Sequence, residues 1–121
     1  MKNRKSDIEV KLREFIIRFE KEYMGRGPED TKVYIIDDLI LIRLKGVLTI
    51  AETQLSKTKE GQALVKKTRL SLLETLKKTL DSEVRKITGI DVVSLHTDIS
   101  TSTGERIIVF TLKENLEKMF D

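Results

Sequence analysis

The chain has 121 residues, the length of one domain, and its 39% hydrophobic residues are enough to build a core. Charged residues reach 36%, above the usual level of roughly 25%, yet Lys+Arg 23 against Asp+Glu 20 leaves only +3, which argues against a dedicated nucleic-acid binder. Cysteine is absent, and this excludes disulfides, thiolate metal sites and cysteine nucleophiles.

The N-terminal M-K-N-R-K-S-D leads into an amphipathic helix, not an apolar leader, so no signal peptide is expected. Apolar runs such as Leu39 to Ile42 are far too short to span a bilayer. A cytoplasmic protein is the expectation. High charge with two Asn and two Gln gives a thermophile-like composition.

Ser6-Asp7-Ile8-Glu9 matches a capping box and predicts a helix start. Ile8, Leu12, Phe15, Ile16, Phe19 and Tyr23 then form one apolar helical stripe. Gly25-Arg26-Gly27-Pro28 ends it, because glycine accepts positive φ and proline cannot continue a helix. Strands are expected at 32–36 and 39–47 around a tight Asp37-Asp38 turn. On the second strand Ile40, Ile42 and Leu44 share one face, and Leu39, Leu41, Arg43 and Lys45 share the other. Such a strand fits a sheet covered by helices on one side and by a partner subunit on the other.

Thr49-Ile50-Ala51-Glu52 is a second capping box, opening a short helix that residues 57–61 interrupt. A long helix is expected from Glu60 to about Lys86, with Val65, Leu72, Leu73, Leu76, Leu80, Val84 and Ile87 as its stripe and Thr88-Gly89 as its stop. Residues 90–97 and 106–112 predict a second hairpin, and 113–121 a short terminal helix. The order α-β-β-α-β-β-α implies an α+β two-layer sandwich, an antiparallel four-stranded sheet with helices on one face, forming a single domain over 1–121.

Chemistry concentrates in L-H-T-D-I-S-T-S-T-G-E, residues 95–105. Ser94, His96 and Asp98 share a strand face, where a histidine and a carboxylate can hydrogen-bond, although a metal site would need further ligands. A structural pair, or a pH-sensitive contact at an interface, is the plainer reading. Ser100, Thr101, Ser102, Thr103 and Gly104 form a hydroxyl loop that could present donors to an anion beside Arg26, Arg43, Lys45 or Arg106. The plainer reading is an ordinary hairpin loop. Arg26 between two glycines is either part of a turn or presented to a ligand. No nucleophile elbow, Walker motif, Rossmann fingerprint or zinc pattern is present, so no catalytic residue, metal or cofactor is assigned.

G-R-G-P at 25–28, V-Y-I-I-D-D-L-I-L-I-R-L-K-G-V-L-T-I-A-E at 33–52, and H-T-D-I-S-T-S-T-G-E at 96–105 followed by I-I-V-F together resemble a small bacterial family. It is the MpsC-like family, named for the C component of the Na+-translocating membrane-potential-generating system, and the likeness covers residues 8–116. The resemblance implies a small soluble protein associated with a membrane system linked to inorganic-carbon uptake and membrane potential. It transfers no enzymatic residue. The favoured reading is therefore an accessory or regulatory protein acting through protein–protein contacts as a homo-oligomer, a dimer first, with a membrane-protein partner. The alternative is an anion or small-metabolite sensor at the loop 100–104 with Arg26 and Arg43. Lesser alternatives are a nucleic-acid binder using Lys66, Lys67, Arg69, Lys77 and Lys78, and an enzyme using His96 and Asp98.

Overall fold

Four segments of alternating apolar residues build one antiparallel sheet. In the computed structural model, which describes residues 4–120, these are β1 (Asp30–Ile36), β2 (Leu39–Lys45), β3 (Val92–Ile99) and β4 (Arg106–Leu112), in the order β1-β2-β4-β3. The second strand of each hairpin thus lies at the centre. Four α-helices accompany the sheet: α1 (Lys5–Phe19), α2 (Ile50–Leu55), α3 (Lys59–Thr75) and α4 (Lys77–Thr88). The expected α+β architecture is present.

Side chains alternate across each strand, so one face of the sheet is core. Val33, Ile35, Ile40, Ile42, Leu44, Ile108, Phe110 and Leu112 are buried there against Ile8, Leu12, Phe15, Ile16 and Phe19 of α1, Val65 and Leu73 of α3, and Leu80 and Val84 of α4. The opposite face carries three rows that cross all four strands, Ile36-Leu39-Thr111-Ser94, Tyr34-Leu41-Val109-His96 and Lys32-Arg43-Ile107-Asp98, and beyond the last the pair Asp30-Lys45. No described residue outside the sheet buries this face: Tyr34 is 40% and Ile36 49% exposed.

Several boundaries differ from expectation, each for a local reason. Helix α1 begins at Lys5 with Arg4 as its N-cap, so Ser6 forms no capping box. The ion pair of Lys5 with Glu117, at 2.9 Å, anchors that earlier first turn. At the other end the chain tightens into a five-residue π-helical turn, Glu20–Met24. The wider turn moves the apolar stripe on by one residue: Met24 is buried and Tyr23 is exposed. Gly25 then closes the turn at φ 89, as the G-R-G-P motif requires.

The Thr49 capping box forms with both of its hydrogen bonds. The α2–α3 turn brings the backbone so close that a Cβ on Gly61 would sit 1.7 Å from the Leu55 carbonyl oxygen, which only glycine tolerates. The expected long helix is broken at Leu76, which leaves the helical region at φ −101, ψ 5. The Thr75 hydroxyl donates to the Leu72 carbonyl at 2.8 Å and competes with the helical ladder there. Leu72 is exposed, while Val65, Leu73, Leu80 and Val84 are buried and Leu76 and Ile87 pack half-buried against the core.

Strand β2 stops at Lys45 because Gly46 turns the chain at φ 66. Strand β3 starts at Val92 and runs to Ile99, with a bulge between Val92 and Ser94 that turns Val93 outward. The terminal segment is not an α-helix within the described residues; it holds one 3₁₀ turn, Glu117–Met119, and Asp121 lies outside them. Leu116 is buried, and Glu117 is pinned to the Asp37 backbone from both its N–H and its carboxylate.

Candidate functional site

Three charged residues occupy positions that the apolar periods reserve for the core. Glu20 follows Ile16 by four on the α1 stripe, Arg69 stands midway between Val65 and Leu73 on α3, and Arg106 alternates with Ile108 and Phe110 on β4. Their exposures are 0%, 2% and 1%. The Arg69 Nη1 meets Glu20 Oε1 at 3.2 Å, and the Arg106 Nη1 meets Glu20 Oε2 at 3.3 Å. A fourth member comes from the start of α2. Glu52 accepts from Arg69 Nε and Nη2, both at 2.7 Å, and Arg69 Nη2 also donates to the Val47 carbonyl at 2.9 Å.

The Thr49 cap sets Glu52 in place: its hydroxyl accepts from the Glu52 N–H, and the Glu52 carboxylate accepts from the Thr49 N–H. Two carboxylates and two guanidiniums therefore tie the ends of α1 and β4 to α2 and the middle of α3, with no net charge. Burial pushes the Glu20 carboxyl above 4.5, against the attraction of Arg106 and Arg69. Burial also works to raise Glu52, but the Arg69 and Thr49 hydrogen bonds outweigh it and hold that carboxyl below 4.5. Burial pulls Arg106 below the ordinary arginine range, and repulsion from Arg69 adds to the fall while Glu20 opposes it.

Of the residues singled out from the sequence, Arg26, Arg43, Thr101, Thr103 and Gly104 line one cavity of about 680 Å³, together with Lys45. Arg26 is held within the turn, donating to the Leu48 carbonyl at 3.0 Å and to Glu29 at 2.9 Å. Arg43 is paired with Glu105 at 2.7 Å. The hydroxyl loop satisfies many of its own donors. The Gly104 N–H donates to the Ser100 carbonyl at 2.8 Å, the Thr103 N–H to Ser100 Oγ, and the Glu105 N–H to Thr103 Oγ1. Ser100 and Asp98 line a neighbouring cavity of about 650 Å³ between the loop and α3.

His96 lies on the open sheet face and contacts Ser94 Oγ at 3.3 Å. Asp98 instead accepts from Lys66 at 3.4 Å and from the Ile99 N–H at 2.8 Å. Among the described residues no His/Cys/Asp/Glu cluster could hold a metal ion. Arg69 is not on the basic outer face with Lys66 and Lys67, because the carboxylates of Glu20 and Glu52 draw it into the core.

The family described as "Na+-translocating membrane potential-generating system (MpsC)" matches residues 4–114. The chain belongs to the MpsC family. It is 44% identical over 118 residues to the uncharacterized protein YbcI of Bacillus subtilis (strain 168), covering 98% of this chain and 95% of that one. It is 27% identical over 112 residues to the uncharacterized protein YrhF of the same organism, covering 89% and 92%. No solved structure matches it. No helix among the described residues is long and apolar enough to cross a membrane. Membership of the MpsC family suggests a role in a membrane-potential system.

The span matched to the MpsC family contains every strand, the four members of the ionic network and both loop cavities, and ends before the 3₁₀ turn. The network went unread in the sequence, although its signal is there. A charge in phase with an apolar period marks either a broken pattern or a paired buried ion.

Proposed function

We propose that this chain is a soluble, cytoplasmic accessory component of a membrane-potential-generating system, and that it works as a homodimer joined through the open faces of its sheets. The observation that carries the dimer is the uncovered face itself, with Leu39, Leu41, Ile107 and Val109 at its centre and charges at one end. Contiguous apolar surface of this kind marks an interaction site.

The charge pattern selects a second copy and its orientation. A two-fold axis running along the strands between two such sheets lays β1 on the partner's β3 and β2 on the partner's β4. Lys32 then faces the partner's Asp98, Tyr34 faces the partner's His96, and Leu41 faces the partner's Val109. A two-fold axis across the strands would instead set Lys32 and Arg43 against the partner's Ile36 and Leu39, cation on hydrocarbon. The membrane-potential role rests on family membership, and the link to inorganic-carbon uptake on the family resemblance alone.

The chain has no cysteine, so introduced thiols report cleanly. Sheets packed face to face stand about 10 Å apart, beyond direct disulfide reach, so a short bis-maleimide should link Lys32→Cys chains to Asp98→Cys chains, whereas self-linking of Tyr34→Cys with no Lys32–Asp98 link points to the other axis. Cells lacking the chain should show an altered response of a potential-sensitive dye, restored by the wild type and not by a folded Leu41→Asp variant. An unchanged dye response would count against the membrane-potential role.

A second reading, an anion sensor at the loop 100–104, has one observation in its favour: Arg26, Arg43 and Lys45 share a cavity with Thr101, Thr103 and Gly104. Arg43→Ala should then weaken binding of phosphate or bicarbonate, measured by calorimetry.

A further inference from the structure

Between α3 and β3, adjoining the loop cavity at Ala63, Lys66, Asp98 and Ile99, a cleft of about 390 Å³ opens, within the range of roughly 300–1,000 Å³ that small-molecule sites occupy. Its polar floor is Arg106, and its apolar walls are Ala63, Leu70 and Ile99. Lys66 and Lys67 also line it.

The two buried arginines differ in how far they are satisfied. Arg69 uses Nε, Nη1 and Nη2 on Glu52, Glu20 and Val47. Arg106 uses Nε on Thr97 Oγ1 at 3.2 Å and Nη1 on Glu20, and its Nη2 makes no hydrogen bond among the described residues. The fully buried side-chain atoms without partners are Thr31 Oγ1 and Asp81 Oδ1, so Nη2 is not sealed in. Arg106 is 1% exposed and lines the cleft, so what little of its surface is open, Nη2 included, is available to a ligand there. An arginine nitrogen held in place by two other bonds and left unpaired in a mostly apolar cleft is a prepared donor for an anion.

We propose that this cleft binds a small monocarboxylate with an apolar body, its carboxylate on Arg106 Nη2. The charge balance sets a single negative charge. Glu20, Glu52, Arg69 and Arg106 cancel, Lys66 pairs with Asp98, and Lys67 has no ion pair among the described residues. One positive charge is left at the cleft. Leu70, 48% exposed on a helix otherwise rich in lysine there, supplies apolar surface for the body of the ligand. Thr97, which accepts from Arg106 Nε and donates to the Ile107 carbonyl at 2.8 Å, is a positioning residue that fixes the guanidinium plane. Arg106, Leu70 and Ala63 lie on the helix side of the sheet, and the cleft meets the proposed dimer face only at Asp98, which also lines it.

Calorimetry with hexanoate and benzoate as probes tests it, with hexan-1-ol and inorganic phosphate as controls. Replacing Arg106 would also unbalance Glu20, so the variants are Ala63→Phe, which fills the cleft from an exposed position, and Leu70→Glu, which sets a negative charge at its mouth. The carboxylates should bind the wild type, and both variants and both controls should bind about tenfold or more weakly, with thermal midpoints of the variants retained. No heat from either carboxylate overturns the site. So does undiminished binding in both variants, or phosphate binding equal to hexanoate.

Discussion

Both faces of the sheet carry hydrocarbon, the helix side more of it, and they treat it differently. On the helix side Ile40, Ile42 and Leu44 are at 0% exposure. On the other side Leu39 and Leu41, from the same strand, keep part of their surface in solvent, beside a Tyr34 that is 40% exposed. Among the described residues the covered face also holds all the buried charge, gathered where α1, α2, α3 and β4 meet. The open face keeps its charges at one end of its rows. Folding of one chain therefore accounts for the first face and leaves the second uncovered, the surface we propose for association.

The largest expected effect breaks the covered side. Glu20→Ala leaves Arg106 without a carboxylate partner and Arg69 with only Glu52, and should cost about 3–5 kcal/mol in urea unfolding. Replacing the whole network with apolar residues of similar volume would be far gentler, since partnerless buried charge is what destabilises.

The next contrast uses neighbours on β2. Ile42→Ala opens a cavity under α1 and should cost about 2–5 kcal/mol. Leu41→Asp, one residue away, should change the stability of the dilute single chain by within about 1 kcal/mol, while abolishing association. Equal losses from the two would erase the distinction between the faces.

The smallest effect is a pH dependence. The Glu52 carboxyl is held below 4.5 in the folded chain, so the stability it contributes is present above 4.5 and lost as the pH falls through its lower folded value. Glu20 has the opposite sign, because its raised value makes the folded chain bind a proton more tightly at and above 4.5. Urea midpoints followed from neutral pH to below 4.5 should fall in the wild type, and Glu52→Gln should remove part of that acid loss.

Much of this division is legible in the residues. The alternation of β2 predicts one apolar and one mixed face, and the Thr49 box and the Gly25 stop lie where their local chemistry places them. Features that depend on distant partners are not legible. The π turn at Glu20, the break at Leu76 and the pinning of Glu117 to Asp37 each answer to tertiary contacts that no local pattern carries. The ionic network is intermediate: Glu20, Arg69 and Arg106 are visibly in phase with the core, but their pairing needs the fold. At the proposed sites, the hydroxyl loop is legible because it is dense in polar atoms, whereas the cleft beside it depends on which nitrogens of Arg106 find partners, and that needs the fold.

Sedimentation equilibrium on the wild type and on Leu41→Asp decides whether the open face pairs with a second copy. The wild type should run at twice the chain mass of 14.0 kDa at micromolar concentration, and Leu41→Asp as a folded monomer. A wild type that remains monomeric, or a Leu41→Asp variant that still dimerises, would contradict that pairing.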